Sequence, residues 1–242
     1  MDEELYYKFY KVETIHWWFS ARREIILDFI INYIKLDKIS KILDYGCGTG
    51  GIIDILNKYF NNIYGTDNSK SAIDFCRKRN LYNTFLLNDF NNNKIFNNYF
   101  DLITILDVIE HIEDDSKILL ELKNFLKKDG LILVTVPAYQ FLFGPYDTLT
   151  QHKRRYTKKK LCTLLKKSGY EVIKASYFNT FLSPFMIISR IISSFTGWSN
   201  DTDIPIKPLN TILKFIFRIE KYFLRYFSFP FGISILCLAK KK

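Results

Sequence analysis

The chain has 242 residues, of which 48% are hydrophobic and 25% charged, a composition that excludes a disordered, collagen-like or fibrous protein and leaves room for one globular domain with an appendage. Lys and Arg total 35 against 25 Asp and Glu, a formal charge of +10, which draws anions without dictating a fold. The surplus falls on Lys together with Asn, Ile, Phe and Tyr, so codon bias accounts for it as well as an anionic partner does.

The opening residues Met1-Asp2-Glu3-Glu4 are acidic where an export signal would be basic. Cys47, Cys76, Cys162 and Cys237 stand apart without C-x-x-C spacing, which points away from a zinc knuckle or a secreted disulfide scaffold and toward a cytoplasmic protein. Residues 1–40 read as a helical cover, with an aromatic first piece (Tyr6, Tyr7, Phe9, Tyr10) and a second piece for which Ser20 is the candidate N-cap. Trp17 and Trp18 are adjacent, and two neighbours on a helix cannot both face one core. At least one is expected at a pocket or an interface.

From Lys41 short apolar runs alternate with amphipathic helices: Lys41 to Tyr45, Asn62 to Thr66, Thr84 to Leu87, Phe100 to Leu106 and Leu131 to Val136. Such alternation predicts βαβ units and a parallel sheet. The clearest helix, Asp115 to Lys128, carries Ile118, Leu119, Leu122, Phe125 and Leu126 on one stripe and stops at Gly130. A loop from Ala138 to Tyr156 leads to a helix capped by Thr157 and closed by Gly169, then to a strand over Tyr170 to Tyr177. A last strand is expected at Ile233 to Ala239, and the long stretch before it predicts a helical insertion. The resulting division is a cover at 1–40, a core at 41–178, an insertion or lid at 179–230 and the final core strand at 231–242.

Within the insertion, Lys214, Arg218, Lys221 and Arg225 recur at spacings of 4, 3 and 4, with Ile212, Ile216, Ile219, Phe223 and Phe227 on the other face. The segment Leu209 to Phe229 is therefore expected as a basic amphipathic helix that either packs its apolar stripe on the sheet or rests peripherally on an anionic membrane. The apolar run Tyr177 to Phe195 contains Pro184 and Arg190 and reads as buried or interfacial rather than membrane-spanning. The basic residues are spread through helices and no nucleic-acid-binding motif is present, which argues against a nucleic-acid partner.

The most informative segment is Ile42-Leu43-Asp44-Tyr45-Gly46-Cys47-Gly48-Thr49-Gly50-Gly51. A buried strand running into so many glycines lets the backbone bend sharply and approach a ligand closely. Gly46, Gly48 and Gly51 also satisfy G-x-G-x-x-G, so a nicotinamide-dependent oxidoreductase competes. Charge separates the two. A pyrophosphate wants bare helix N–H groups, whereas a ligand bearing ammonium and sulfonium wants carboxylates, and Asp44, Asp67, Asp89 and Asp107 stand at four consecutive strand ends, the edge where a doubly wound sheet binds ligands.

With the Asp107-Val108-Ile109-Glu110-His111 motif, this sequence resembles a class I S-adenosylmethionine-dependent methyltransferase over roughly residues 12–178 plus the final strand. The resemblance implies a Rossmann-like, doubly wound seven-stranded α/β sheet whose last strand is antiparallel. It implies that Asp44, Gly46, Cys47 and Gly48 surround the methionine moiety, with Asp67 on the ribose. It further implies Asp89 at the adenine amino group, the Phe90 backbone at the ring and Leu106 and Asp107 beneath the sulfonium end. S-adenosylhomocysteine is then the product. His111 and His152 are candidate bases; Arg154 and Arg155 could clamp a carboxylate or phosphate, and with Tyr156, Trp17 and Trp18 they are the expected acceptor contacts. The acceptor is expected to be a hydroxyl or amine of a small molecule, sugar or lipid-linked compound. No metal is assigned, but Asp107, Glu110, His111 and His152 form an alternative divalent-metal set. That set is similar to the E-x-x-E-H of metal-dependent O-methyltransferases acting on RNA or quinone precursors, with Asp107 in place of the first Glu. A cofactor-binding protein without catalysis is the remaining alternative.

Overall fold

The structure, a computed structural model, describes residues 3–196 and 204–242. Two helices lead in, α1 (Glu3–Val12) and α2 (Trp17–Asp28), the second continuing as a wider turn through Ile34. Alternation follows: β1 (Lys41–Tyr45), α3 (Gly51–Leu56), β2 (Asn62–Asp67), α4 (Lys70–Lys78), β3 (Thr84–Leu86), α5 (Leu87–Asn91), β4 (Phe100–Leu106), α6 (Asp115–Phe125) and β5 (Leu126–Pro137). Then come α7 (Pro145–Leu149), α8 (Lys158–Lys167), β6 (Tyr170–Phe178), α9 (Ser183–Thr196), α10 (Lys207–Leu224) and β7 (Ser234–Lys241). Among the described residues the strands make one seven-stranded sheet in the order β3-β2-β1-β4-β5-β7-β6. β7 is antiparallel to both its neighbours, and the pairs among β1 to β5 are parallel, as the sequence led us to expect. The order reverses at β1 and β4, so their carboxyl ends flank the crevice where such sheets take ligands.

Burial on both faces explains the apolar strand runs. One core, around Phe90, Phe100, Leu119, Leu122 and Tyr170, lies under α5, α6 and α8. The other, around Ile25, Phe29, Ile42, Leu236 and Phe217, lies under α2, α3 and α10. Local caps act where the sequence places them: Thr157 Oγ1 accepts from Lys160 N at 3.3 Å, and Gly169 turns the chain at φ +80°.

Three expectations are corrected. The N-cap of α2 is His16, whose Nδ1 accepts from Trp18 N at 3.2 Å; Ser20 lies inside the helix, where its small side chain is buried. Helix α6 ends at Phe125, not Lys128, because Leu126 is extended (φ −76°, ψ 137°). Leu126 pairs with Phe100 and is fully buried there, while Lys127 Nζ reaches Asp101 at 2.7 Å; one apolar stripe fits either role, and the sheet edge decides.

The third concerns α10. Instead of laying Ile212, Ile216, Ile219, Phe223 and Phe227 on the sheet, the helix packs against α2 and buries Phe217, Glu220 and Leu224. Three of the four cations face α2: Lys214 Nζ and Arg218 Nη1 lie 3.0 and 3.6 Å from Glu24, and Arg225 pairs with Asp28. Those cations already have partners within the fold. Ile212, Phe223 and Phe227 are exposed, and Phe227 lies beyond the helix end. Of the expected insertion at 179–230, residues 197–203 lie outside the described residues. Among the described residues, no helix is long and apolar enough to cross a membrane.

Candidate functional site

The chain leaves β1 through Gly46 (φ +76°), Gly48 (φ +53°) and Gly50 (φ +83°), backbone conformations that a side chain disfavours. Gly46 N and Cys47 N both donate to Thr66 O, at 2.8 and 3.0 Å, which fastens the turn to the end of β2. Gly48 N donates to Asp67 Oδ2 at 2.9 Å. Asp67 Oδ1 accepts from Ser69 N at 2.9 Å and from the Tyr6 hydroxyl at 3.4 Å. Asp44 is buried below the turn, takes the Thr104 hydroxyl at 2.7 Å, and is pushed up to about 6 by burial against the opposing pull of Thr104 and Arg22.

A cavity of about 670 Å³ runs from this turn across the carboxyl ends of β1 and β4. Asp44, Gly46, Cys47, Gly48, Leu106 and Asp107 line its inner end. Trp17 and Trp18 form part of the wall, with Phe185, Met186 and Leu209 further out. His111, His152 and Arg155 lie along the polar side.

The strand-end acids divide in three ways. Asp44 and Asp107 line the cavity; Asp67 holds the turn from outside it; Asp89 is exposed on α5. Asp107 is itself committed, with Arg22 Nη2 at 2.8 Å and the Thr135 hydroxyl at 3.0 Å. Phe90 does not line the cavity. Its ring is fully buried, 4.6 Å from Phe96 and 5.1 Å from Phe125 between centroids, because β3 ends at Leu86 and α5 turns Phe90 into the core.

The expected arginine clamp is also corrected. Arg154 turns away to Asp115 Oδ2 at 3.4 Å and Glu113 O at 2.9 Å, and the Tyr156 hydroxyl donates to Asp115 Oδ2 at 2.7 Å. Neither lines the cavity. Arg155 does, but its Nε and Nη2 are spent on Asp147 at 2.9 and 2.8 Å. Helix α6 presents Asp115 at its first turn, and that acid captures Arg154 and the Tyr156 hydroxyl.

His111 and His152 meet with ring centroids 4.6 Å apart. His111 Nδ1 lies 3.3 Å from Gln151 O, and its pKa is lowered to about 4 by burial and by His152. Beside them Glu110 is fully buried and neither carboxyl oxygen has a hydrogen-bond partner within the described protein. Burial and Asp107 push Glu110 well above the ordinary carboxylate range. One donor atom each from Glu110, His111 and His152 lie within 4.8 Å of one another. A divalent cation fits that donor set and would satisfy the orphaned carboxyl, whereas Asp107 is not part of it.

Sequence reasoning missed Glu13 and Asp147, and it placed Tyr6 and Arg22 in the N-terminal cover without their partners Asp67 and Asp107. Glu13 accepts from the Thr49 hydroxyl at 2.6 Å and pairs with Arg79, pinning α1 over the glycine turn. The partners of Glu13 are 36 and 66 positions away, beyond any short-range pattern; those of Asp147 are 5 and 8 positions away but belong to no recognised spacing.

Residues 12–175 match the family described as a methyltransferase domain. The chain is 29% identical over 136 residues to the ubiquinone biosynthesis O-methyltransferase of Actinobacillus pleuropneumoniae, covering 47% of this chain and 58% of that protein. It is 25% identical over 213 residues to the phosphoethanolamine N-methyltransferase of Plasmodium falciparum, covering 85% and 73%. Against the first relatives it spans about half of their length, 58% and 52%. Among solved structures it resembles a SAM-dependent methyltransferase from Thermotoga maritima, with a TM-score of 0.59 at 20% identity over 99% of this chain and 95% of that one. It also resembles a phosphoethanolamine N-methyltransferase from Haemonchus contortus in complex with S-adenosyl-L-methionine, with a TM-score of 0.57 at 17% identity over 89% and 51%. With the family matched over residues 12–175, more than half of the chain, and the fold shared with those structures, this chain belongs to the methyltransferase domain family and has the class I, Rossmann-like fold.

Proposed function

We propose that the chain transfers a methyl group from S-adenosylmethionine to a hydroxyl or amine of a small-molecule acceptor. One observation carries this reading: a single cavity is lined both by the glycine turn with Asp44 and by the imidazoles of His111 and His152. S-adenosylmethionine supplies a methyl already activated on a sulfonium. The protein's task is then to align an acceptor atom with it and to receive a proton where the acceptor is a hydroxyl. Asp44, Gly46 and Gly48 would hold the methionine end, with Asp67 bracing the turn behind them, while the histidine corner faces the acceptor.

The outer wall supports an acceptor with an apolar portion. Phe185, Ile188 and Leu209 line the cavity and are also 62%, 59% and 45% exposed, so the lining continues into apolar surface on α9 and α10. A lipid-linked acceptor and peripheral contact with a membrane in the cytoplasm belong to this reading, with the exposed apolar side of α10 rather than its basic stripe as the contact.

Calorimetry with S-adenosylhomocysteine, followed by label transfer from methyl-labelled cofactor to a panel of phenols, amino alcohols and lipid-linked sugars, tests the proposal. Asp44 adds a pH signature. Its charge, the partner for the ligand's ammonium, is present above about 6 and lost below it, so affinity is expected to fall about tenfold from pH 7.5 to pH 5. Asp44→Asn should bind weakly at both pH values. Tight NAD binding without S-adenosylhomocysteine binding would overturn the assignment.

A second reading is favoured by the donor set of Glu110, His111 and His152: a divalent ion there would lower the pKa of an acceptor hydroxyl. Under it, chelator abolishes turnover and added metal restores it; without it, turnover is unchanged by chelator.

A further inference from the structure

We infer that Asp147 is the positioning residue of the acceptor side: it fixes His152 with the proton on Nδ1, leaving Nε2 as the lone-pair nitrogen turned toward Glu110 and His111. The inference rests on the proposed methyl-transfer reading of this site. Asp147 is fully buried at the third position of α7 and is nowhere marked by a sequence motif. It receives His152 Nδ1 at 2.7 Å, Arg155 Nε at 2.9 Å, Arg155 Nη2 at 2.8 Å and Gly144 N at 2.9 Å.

The tautomer follows from charge. Arg155 Nε and Nη2 and Gly144 N all donate to the Asp147 carboxyl, and the buried guanidinium paired with it keeps the group ionised. An ionised carboxylate only accepts, so Nδ1 must carry the hydrogen. Nε2 is then 3.9 Å from Glu110 Oε1, on a ring that lines the cavity. Two backbone bonds hold the same loop in place: His152 N donates to Asp147 O at 2.7 Å, and Lys153 N to Glu110 O at 2.8 Å. The role is the same whether Nε2 takes a proton from the acceptor or binds a metal ion, since either use needs that lone pair free and aimed.

Arg155 supplies the competing explanation. Its Nη1 also donates to Ala138 O at 3.2 Å, so Asp147 could serve only to keep a buried guanidinium paired. The experiment separates these. The chain has three histidines, so the ¹⁵N spectrum of the full chain can be assigned with His152→Gln and His111→Gln. Expected is an Nδ1–H signature for His152 in the wild type; a wild-type Nε2–H tautomer overturns the inference whatever the variants do. In Asp147→Asn, where the side-chain amide can donate to Nδ1, the proton should move to Nε2 and kcat fall about 10²- to 10⁴-fold, with KM for S-adenosylmethionine changed less than twofold. A His152→Ala background completes the cycle: Asp147→Asn should cost no further turnover there, and a full second loss would assign Asp147 to Arg155 instead. Wild-type chain that neither binds S-adenosylhomocysteine nor transfers label would remove the methyl-transfer reading, while the tautomer would still be read independently.

Discussion

Gly46→Ala is expected to weaken S-adenosylhomocysteine binding by at least about 100-fold, well beyond the effect of the same change at Gly48. Both glycines have positive φ, +76° and +53°, and a side chain there costs roughly 1–2 kcal/mol. They differ in what a methyl group meets. A Cβ at Gly46 would stand 2.4 Å from Val108 Cγ2 and 3.1 Å from Cγ1, whereas one at Gly48 meets nothing within 4 Å. Val108 opens the turn that carries Glu110 and His111, so relieving the clash moves either the glycine turn or the acceptor corner. The turn cannot shift freely, because Gly46 N and Cys47 N are both tied to Thr66 O. Calorimetric titration of the two variants beside the wild type checks this, and wild-type affinity in Gly46→Ala would show that the turn does not hold the cofactor.

Phe90→Ala is expected to lower the melting temperature by about 10 °C while leaving cofactor affinity at 20 °C within about twofold. The ring is completely buried, stacked on Phe96 at 4.6 Å and 12°, and in contact with Phe100 and Phe125 at 6.1 and 5.1 Å. Truncating such a ring costs about 3–5 kcal/mol through lost transfer energy and the cavity left behind. For a chain of this size each kcal/mol shifts the midpoint by roughly 2–4 °C. Phe90 does not line the cavity, so alanine removes no contact with it. Asp89→Asn is the counterpart: the side chain is exposed, so the melting temperature should hold even if affinity changes. Calorimetric scans and titrations on both variants separate the roles, and loss of affinity in folded Phe90→Ala would put the ring in the site after all.

The two variants differ in how well their surroundings could be read without a structure. Strand positions and the glycine turn are local signals: apolar runs bounded by turn residues, with Gly46, Gly48 and Gly50 where the chain must leave β1 at positive φ. Alternating strands and helices imply parallel pairing through crossovers, but the placing of β1 between β2 and β4 and of an antiparallel β7 between β5 and β6 comes from the structure. The destination of an individual side chain did not follow. Asp67 and Asp89 end or follow neighbouring strands in equivalent sequence settings, yet one holds the turn and the other faces solvent, because a short helix begins right after β3.

The same holds for charge. Four cations on one arc at α10 read as a surface stripe until α2 brings Glu24 and Asp28 against three of them, Lys214, Arg218 and Arg225. Arg154 and Arg155 read as a clamp until Asp115 and Asp147 take them. By itself, then, the sequence determined the order of elements, the sheet class and the turn that approaches a ligand, since each is encoded within a few residues of chain. Only the tertiary structure decided which acids and bases face the cavity and which neutralise one another. A buried charge is settled by the partners the fold brings to it, 8 positions away for Arg155 and 197 for Arg225, through desolvation and ion pairing that no local pattern records.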